Sequence, residues 1–173
     1  MQFNVIVSNP PFSLDKWAKG FENVNPIAVE QGKKKDTFKM EASLDPYNRF
    51  EYGVPPKSIG DYAFIQHMLK SLADDGRMAV VLPHGTLFRG ASEGIIRRKI
   101  LEDNLIDAVI GLPENLFYGV SIPATIVVFK KNRNRDEVLF IEASREYEKG
   151  KNQNTLTKEN IEKILNTYKK FYL

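Results

Sequence analysis

The sequence has no cysteine and only 2 histidines in 173 residues. That excludes a disulfide framework, a thiolate nucleophile and a thiolate metal site, and it leaves little from which to build a zinc site. No apolar run approaches the ~20 residues a membrane-spanning helix needs, and the first residues lack a basic segment followed by an apolar stretch. The expectation is a cytoplasmic protein with no membrane partner and no metal. A large excess of either charge is also missing: 25 Lys+Arg stand against 22 Asp+Glu, a net charge of +3. The balance permits a polyanionic partner without demanding one. What remains is ordinary globular composition, 42% hydrophobic and 27% charged, at a length that suits one domain.

Phe3 to Ser8 is apolar and β-branched and stops at Asn9-Pro10-Pro11-Phe12, where two prolines remove ladder donors. This pattern predicts a buried strand that ends in a rigid loop. From Ser13 to Gly60 the periodicity fades, punctuated by Lys33-Lys34-Lys35, Pro46, Gly53 and Pro55-Pro56, a length of loop that is usually functional or disordered. Asp61 is then placed to cap a helix carrying Phe64, Ile65, Met68, Leu69 and Leu72 at helical spacing, closing at Asp74-Asp75-Gly76. Arg77 to Leu82 reads as a second buried strand stopped by Pro83. Ser92 is placed to cap a helix through Ile95, Ile96, Ile100 and Leu101, followed by a third strand from Leu105 to Ile110. Strand and helix alternating at this spacing predict an α/β fold with right-handed crossovers and a mostly parallel sheet. After a loop from Gly111 to Pro123, a fourth strand is expected over Ala124 to Lys130. A short fifth, over Glu137 to Ile141, is expected to be antiparallel and near an edge. Thr157 begins a terminal helix through Ile161, Ile164, Leu165, Tyr168 and Phe171.

In an open α/β sheet, ligands bind beyond the carboxyl ends of the strands, which is where Asn9 to Phe12 falls. The loop suits one task, the presentation of acceptors to a planar amine. The Asn9 amide oxygen and the Pro10 carbonyl can each accept a hydrogen bond from one NH2 group, and the prolines fix the turn. Phe12 offers a flat face. Two such acceptors oppose conjugation of the amine into its ring and aim the nitrogen lone pair at an electrophile, a preorganised electrostatic effect.

The loop resembles the catalytic Asp/Asn/Ser-Pro-Pro-Tyr/Phe motif of N6-adenine methyltransferases that use S-adenosylmethionine. The resemblance extends through Tyr52-Gly53-Val54-Pro55-Pro56, Asp61-Tyr62-Ala63-Phe64-Ile65-Gln66-His67-Met68, Gly76-Arg77, Val81-Leu82-Pro83-His84-Gly85, Ile96-Arg97, Leu112-Pro113 and Leu116-Phe117-Tyr118. This ordered series is similar to the second half of the modification (M) subunit of type I restriction-modification systems. The resemblance implies a Rossmann-like methyltransferase fold, present here as its C-terminal half. It divides residues 1–173 into a strand and catalytic loop (1–12), a long loop region (13–60), alternating helices and strands (61–141), and a linker with the terminal helix (142–173). It implies a flipped adenine whose N6 takes the methyl group. Asn9 and Pro10 become the acceptors, Pro11 holds the loop and Phe12 is the stacking face. Phe117 or Tyr118 becomes a second wall of the base pocket, against a plain role as loop anchors. His84 is a pocket-lining candidate against ordinary loop packing, and Lys33, Lys34 and Lys35 are DNA-contact candidates against a solvated loop. The partners implied are DNA and the specificity (S) and restriction (R) subunits.

The family's glycine-rich cofactor turn follows an earlier strand, and only 8 residues precede Asn9. Gly85, Gly90 and Gly94 lack the spacing to replace it. The expectation is a catalytic loop whose main S-adenosylmethionine site is absent from this chain, inactive alone, and paired with a missing N-terminal half or with itself through the exposed first strand. Two rivals stay open: an RNA base or a protein glutamine amide as substrate, and a non-catalytic assembly module from a truncated or split gene.

Overall fold

The computed structural model describes residues 1–18 and 45–173. Lys33, Lys34 and Lys35 lie outside the described residues. The strands are β1 (Phe3–Ser8), β2 (Leu72–Pro83), β3 (Ile106–Gly111), β4 (Ala124–Lys130) and β5 (Leu139–Glu142). The helices are α1 (Asp61–Ser71), α2 (Ala91–Glu102) and α3 (Lys158–Lys170), with a 3-10 turn at His84–Leu87.

The five strands form one sheet in the order β1-β2-β4-β3-β5. β1 is parallel to β2 and β3 to β5, while β4 is antiparallel to both of its neighbours. The α/β architecture stands, but the sheet is mixed. The reversal at β4 follows from its connection: no helix intervenes between β3 and β4 to make the crossover that a parallel strand needs. β5 corrects the expected direction for the same reason. A short turn reverses the chain after β4, so β5 runs against the strand before it in sequence and along β3, its ladder partner at the edge.

Each face of the sheet carries a core, and the alternation along β2 assigns them. Met78, Val80 and Leu82 pack with Ile65, Met68 and Leu69 of α1, Ile96 and Ile100 of α2, and Val127 and Phe129 of β4. Val81 points the other way, into a second cluster in which Ile110, Ile126 and Ile141 meet Ile164 and Tyr168 of α3, together with Phe12 and Phe117. β1 departs from its prediction as a buried strand: Phe3, Val5 and Val7 are 47%, 63% and 80% exposed. The strand sits at the sheet edge, and its odd-numbered face carries no helix among the described residues.

Two predicted caps move. α1 starts after Gly60 and α2 after Gly90, neither with a side-chain cap, so Asp61 and Ser92 do not cap. Thr157 does cap α3, in a reciprocal box with Asn160. Asp74-Asp75-Gly76 is not a helix-ending loop either. β2 begins at Leu72, and the ladder jumps from the pair Phe3 and Leu72 to the pair Val5 and Arg77, leaving a bulge. A Cβ at Gly76 would lie 2.8 Å from Leu72 Cγ, so only glycine fits this bulge without a shift.

Candidate active site

The carboxyl ends of β1, β2, β3 and β5 and the amino end of β4 share one edge of the sheet, as their register requires. That edge gathers the Asn9–Phe12 loop, the turn at His84 and the 112–123 loop. Pro10 is buried and Pro11 exposed. Asn9 is exposed, and its side chain has no hydrogen-bond partner among the described residues. Phe12 is half-buried and meets Phe117 edge-on, with ring centroids 5.9 Å apart and planes at 79°. The pair belongs to the core on the α3 side, so the two rings are anchored.

Phe117 is placed by a tight turn. It bridges to Val120, whose N–H donates to its carbonyl at 3.0 Å, and Gly119 supplies the left-handed backbone (φ +72) that the turn needs. Tyr118, at the tip, is 96% exposed and does not join the Phe12–Phe117 pair. The loop is strapped from the chain after β5: Asn154 donates from its backbone and side chain to the carbonyls of Asn115 and Glu114, both at 2.9 Å. Gln153 donates to Leu116. A shallow groove of about 420 Å³ runs between this strap and Phe117.

His84 lies on the same edge but contacts Phe88, edge-on at 5.7 Å, rather than the Phe12 pair. Its backbone N–H donates to Pro123 at 3.2 Å, which ties the end of β2 to the start of β4. Glu142 is held below the usual carboxylate range, first by hydrogen bonds from Ser144 and then, more weakly, by the charges of His84 and Arg145.

The other end of the loop is held by residues that the sequence did not announce. Ser13, directly after Phe12, has a left-handed backbone (φ 49). Its N–H donates to Asp61 Oδ1 at 2.7 Å and its hydroxyl to Oδ2 at 3.3 Å. Asp61 is fully buried, and its partner is Arg89, which also grips Glu93 through Nε at 2.6 Å and Nη2 at 3.1 Å. The Glu93 hydrogen bond is the main cause holding the Arg89 guanidinium charged above its ordinary range. The spacing of Arg89 and Glu93 was legible as an i, i+4 pair; the Asp61–Arg89 contact depends on the fold. Beyond Ser13, Gly60 N–H donates to Leu14 at 3.0 Å, Lys16 N–H to Lys57 at 3.0 Å, and Trp17 Nε1 to Pro56 at 2.7 Å. The 13–17 segment is thus zipped to 56–61.

The turn after β2 offers no cradle for a methyl donor. A Cβ at Gly85 would lie 2.5 Å from Arg89 Nη1, so the space that a glycine opens there is filled by the guanidinium. An open glycine cradle of the kind that would hold the donor's nucleotide moiety is therefore not formed at this turn. Among the described residues no three His, Asp or Glu side chains are grouped to hold a metal, and no helix is long and apolar enough to cross a membrane.

The family model described as N-6 DNA Methylase matches residues 1–172. The chain is similar to the type I restriction enzyme MpnII methylase subunit of Mycoplasma pneumoniae, at 37% identity over 96% of this chain and 27% of that protein. The MjaVIII methylase subunit of Methanocaldococcus jannaschii is 37% identical over 96% of this chain and 26% of its own length. Among solved structures, the type I restriction-modification methyltransferase subunit of Streptococcus thermophilus aligns with a TM-score of 0.78 at 45% identity, covering 97% of this chain and 32% of that one. A class I S-adenosylmethionine-dependent methyltransferase of Listeria monocytogenes shares the fold, with a TM-score of 0.56 at 17% identity over 96% of this chain and 42% of that one. The chain spans about a quarter of the length of these curated relatives.

Proposed function

Since the chain belongs to the N-6 DNA Methylase family, we propose that it is the catalytic-loop portion of a type I modification subunit that methylates adenine N6 in DNA. The observation that carries this reading is the Asn9–Phe12 loop: an exposed Asn9 amide without a partner among the described residues, next to a buried proline and beside an anchored aromatic pair. Asn9 Oδ1 and the Pro10 carbonyl accept from the two N–H groups of the adenine amine and leave its lone pair directed at the methyl carbon. Phe12 supplies a ring face to the base. Phe117 supports Phe12, Tyr118 is free to reach an incoming strand, and His84 lines the same edge. Lys33, Lys34 and Lys35 remain candidates for phosphate contact.

S-adenosylmethionine supplies the methyl group in this reading, from a main site outside this chain. The partners are DNA, the specificity and restriction subunits, and the cofactor-binding half, which pairs along β1. The location is cytoplasmic. The test is labelled methyl transfer to unmethylated DNA by the chain reassembled with that half. Asn9→Ala removes one of two preorganised acceptors, and by analogy with the loss of one oxyanion-hole donor the rate should fall by about 100-fold. An undiminished rate overturns the role of Asn9; label in RNA or in protein glutamine and not in DNA overturns the substrate.

A further inference from the structure

We propose that Asp61, braced by Arg89, is the positioning residue of the Asn9–Phe12 loop; the catalytic consequence rests on the methylase reading above, and the structural one does not. Asp61 stands at the first position of α1, where a carboxylate has helix N–H groups at hand. Instead it accepts from Ser13, 48 residues earlier, and from Arg89, 28 residues later. Ser13 holds a backbone conformation that a residue with a Cβ adopts at a cost unless its surroundings impose it. The imposed bond is the short one from its N–H to the fully buried Asp61.

Between that clamp and the end of β1 lie only Asn9, Pro10, Pro11 and Phe12, two of them with φ fixed by their rings. A stiff link held at both ends has little freedom left, so the clamp sets where the Asn9 amide and the Pro10 carbonyl stand. Acceptors for a reacting amine must be held within a fraction of an ångström, and groups on rigid supports meet that demand. Two buried carboxylates around one guanidinium are a costly way to add stability, since apolar side chains of similar volume often do as well. What the arrangement adds is direction: Glu93 orients Arg89, Arg89 orients Asp61, and Asp61 orients Ser13.

The test compares Asp61→Leu, which keeps the branching of the side chain, removes its acceptors and leaves Arg89 paired with Glu93, with Asp61→Asn, which keeps an acceptor for Ser13. Asp107→Asn on β3, which weakens the buried ion pair of that residue with Arg133, is the control. In the 173-residue chain, amide hydrogen exchange over residues 12–18 should rise at least 10-fold in Asp61→Leu and less than 3-fold in Asp61→Asn. It should stay unchanged in Asp107→Asn, with β2 protected in all three. If Asp61→Leu loses β2 protection as well, Asp61→Ala replaces it under the same criterion. In the reassembled methylase, Asp61→Leu should lower kcat at least 10-fold with KM for donor and DNA within 2-fold, Asp61→Asn should recover most of it, and Asp107→Asn should change neither. Unchanged exchange over 12–18, or losses of kcat that follow stability alike in all three variants, would overturn the positioning role. A wild-type assembly that transfers no methyl group fails the methylase reading instead, and the exchange experiment still decides the clamp.

Discussion

Asn9 and Pro10 are adjacent in sequence and opposite in environment, one exposed and the other buried. This division lets the loop present a polar group without losing its anchor. The same economy governs Gly60, where a Cβ would lie 2.8 Å from Trp17 Cβ and 3.3 Å from the Leu14 carbonyl. Neither neighbour is the far end of a flexible chain, so Gly60→Ala should separate the 13–17 segment from 56–61. The expected cost is about 1–3 kcal/mol in urea denaturation, the range for overpacking. Trp17 is the single tryptophan, so its emission should move to the red in the same variant, and an unshifted spectrum would count against the close approach. Phe12 and Phe117 give a second residue-scale expectation: a double-mutant cycle of their alanine variants should return a coupling of about 0.5–1.5 kcal/mol, as edge-to-face pairs do. Additive losses would show that the two rings act separately. At this scale the acceptor tetrapeptide was legible in the sequence because its chemistry is local. Asp61 was misread as a cap, since its partners Ser13 and Arg89 are neighbours only in space.

Among the elements, those whose signals are local came through, and those set by neighbours did not. β4 matches its predicted span, Ala124–Lys130, because a bounded apolar run needs no context. The Thr157 cap was likewise legible, and Thr157→Ala should cost about 1 kcal/mol of stability, read as a lower thermal midpoint with α3 fraying first. The directions of β4 and β5 were misread, because they follow from the connections, a loop with no helix before β4 and a short turn after it, and not from the residues of the strands themselves. α3 also carries a pH expectation. Burial, then the hydrogen bond to Asp107, pushes the Tyr168 phenol above its ordinary range, and Tyr172 moves the same way from the same two causes. Burial pushes Tyr62, which donates to Thr86 at 2.9 Å, up to about 12, against a smaller lowering by Arg97. A phenol whose pKa is raised by folding contributes stability that is complete below its unfolded value, near 10. The contribution is lost as the pH climbs towards the folded value. Stability should therefore be level on this account up to about pH 10 and fall between about pH 10 and 12. Phenolate absorbance should rise together with the loss of α3 helicity, and a full titration of all tyrosines with the fold intact would contradict it.

For the whole molecule, the decisive asymmetry is between the two edges of the sheet. At one edge β5 is short, four residues, and only Ile141 on it is buried. At the other, β1 offers six residues with an unpaired ladder on its outer side among the described strands, and Phe3, Val5 and Val7 exposed on one face. The apolar run was legible in the sequence; that it would stand uncovered was not, because burial depends on what lies beside a strand and not on its own residues. An edge of this kind is a template for another strand, and a contiguous apolar face beside it adds a hydrophobic reward to pairing. The 173-residue chain alone should therefore form dimers or larger species in light scattering at micromolar concentration. Val7→Lys places a charge on the uncovered face, 80% exposed in the folded chain, so it should shift the population to monomer with little loss of stability. Addition of the proposed cofactor-binding half should replace self-association of the unaltered chain with a one-to-one complex, since both partners compete for one edge. A monodisperse monomer of the unaltered chain would show that β1 is protected by other means, and equal association of Val7→Lys would place the contact elsewhere on the molecule.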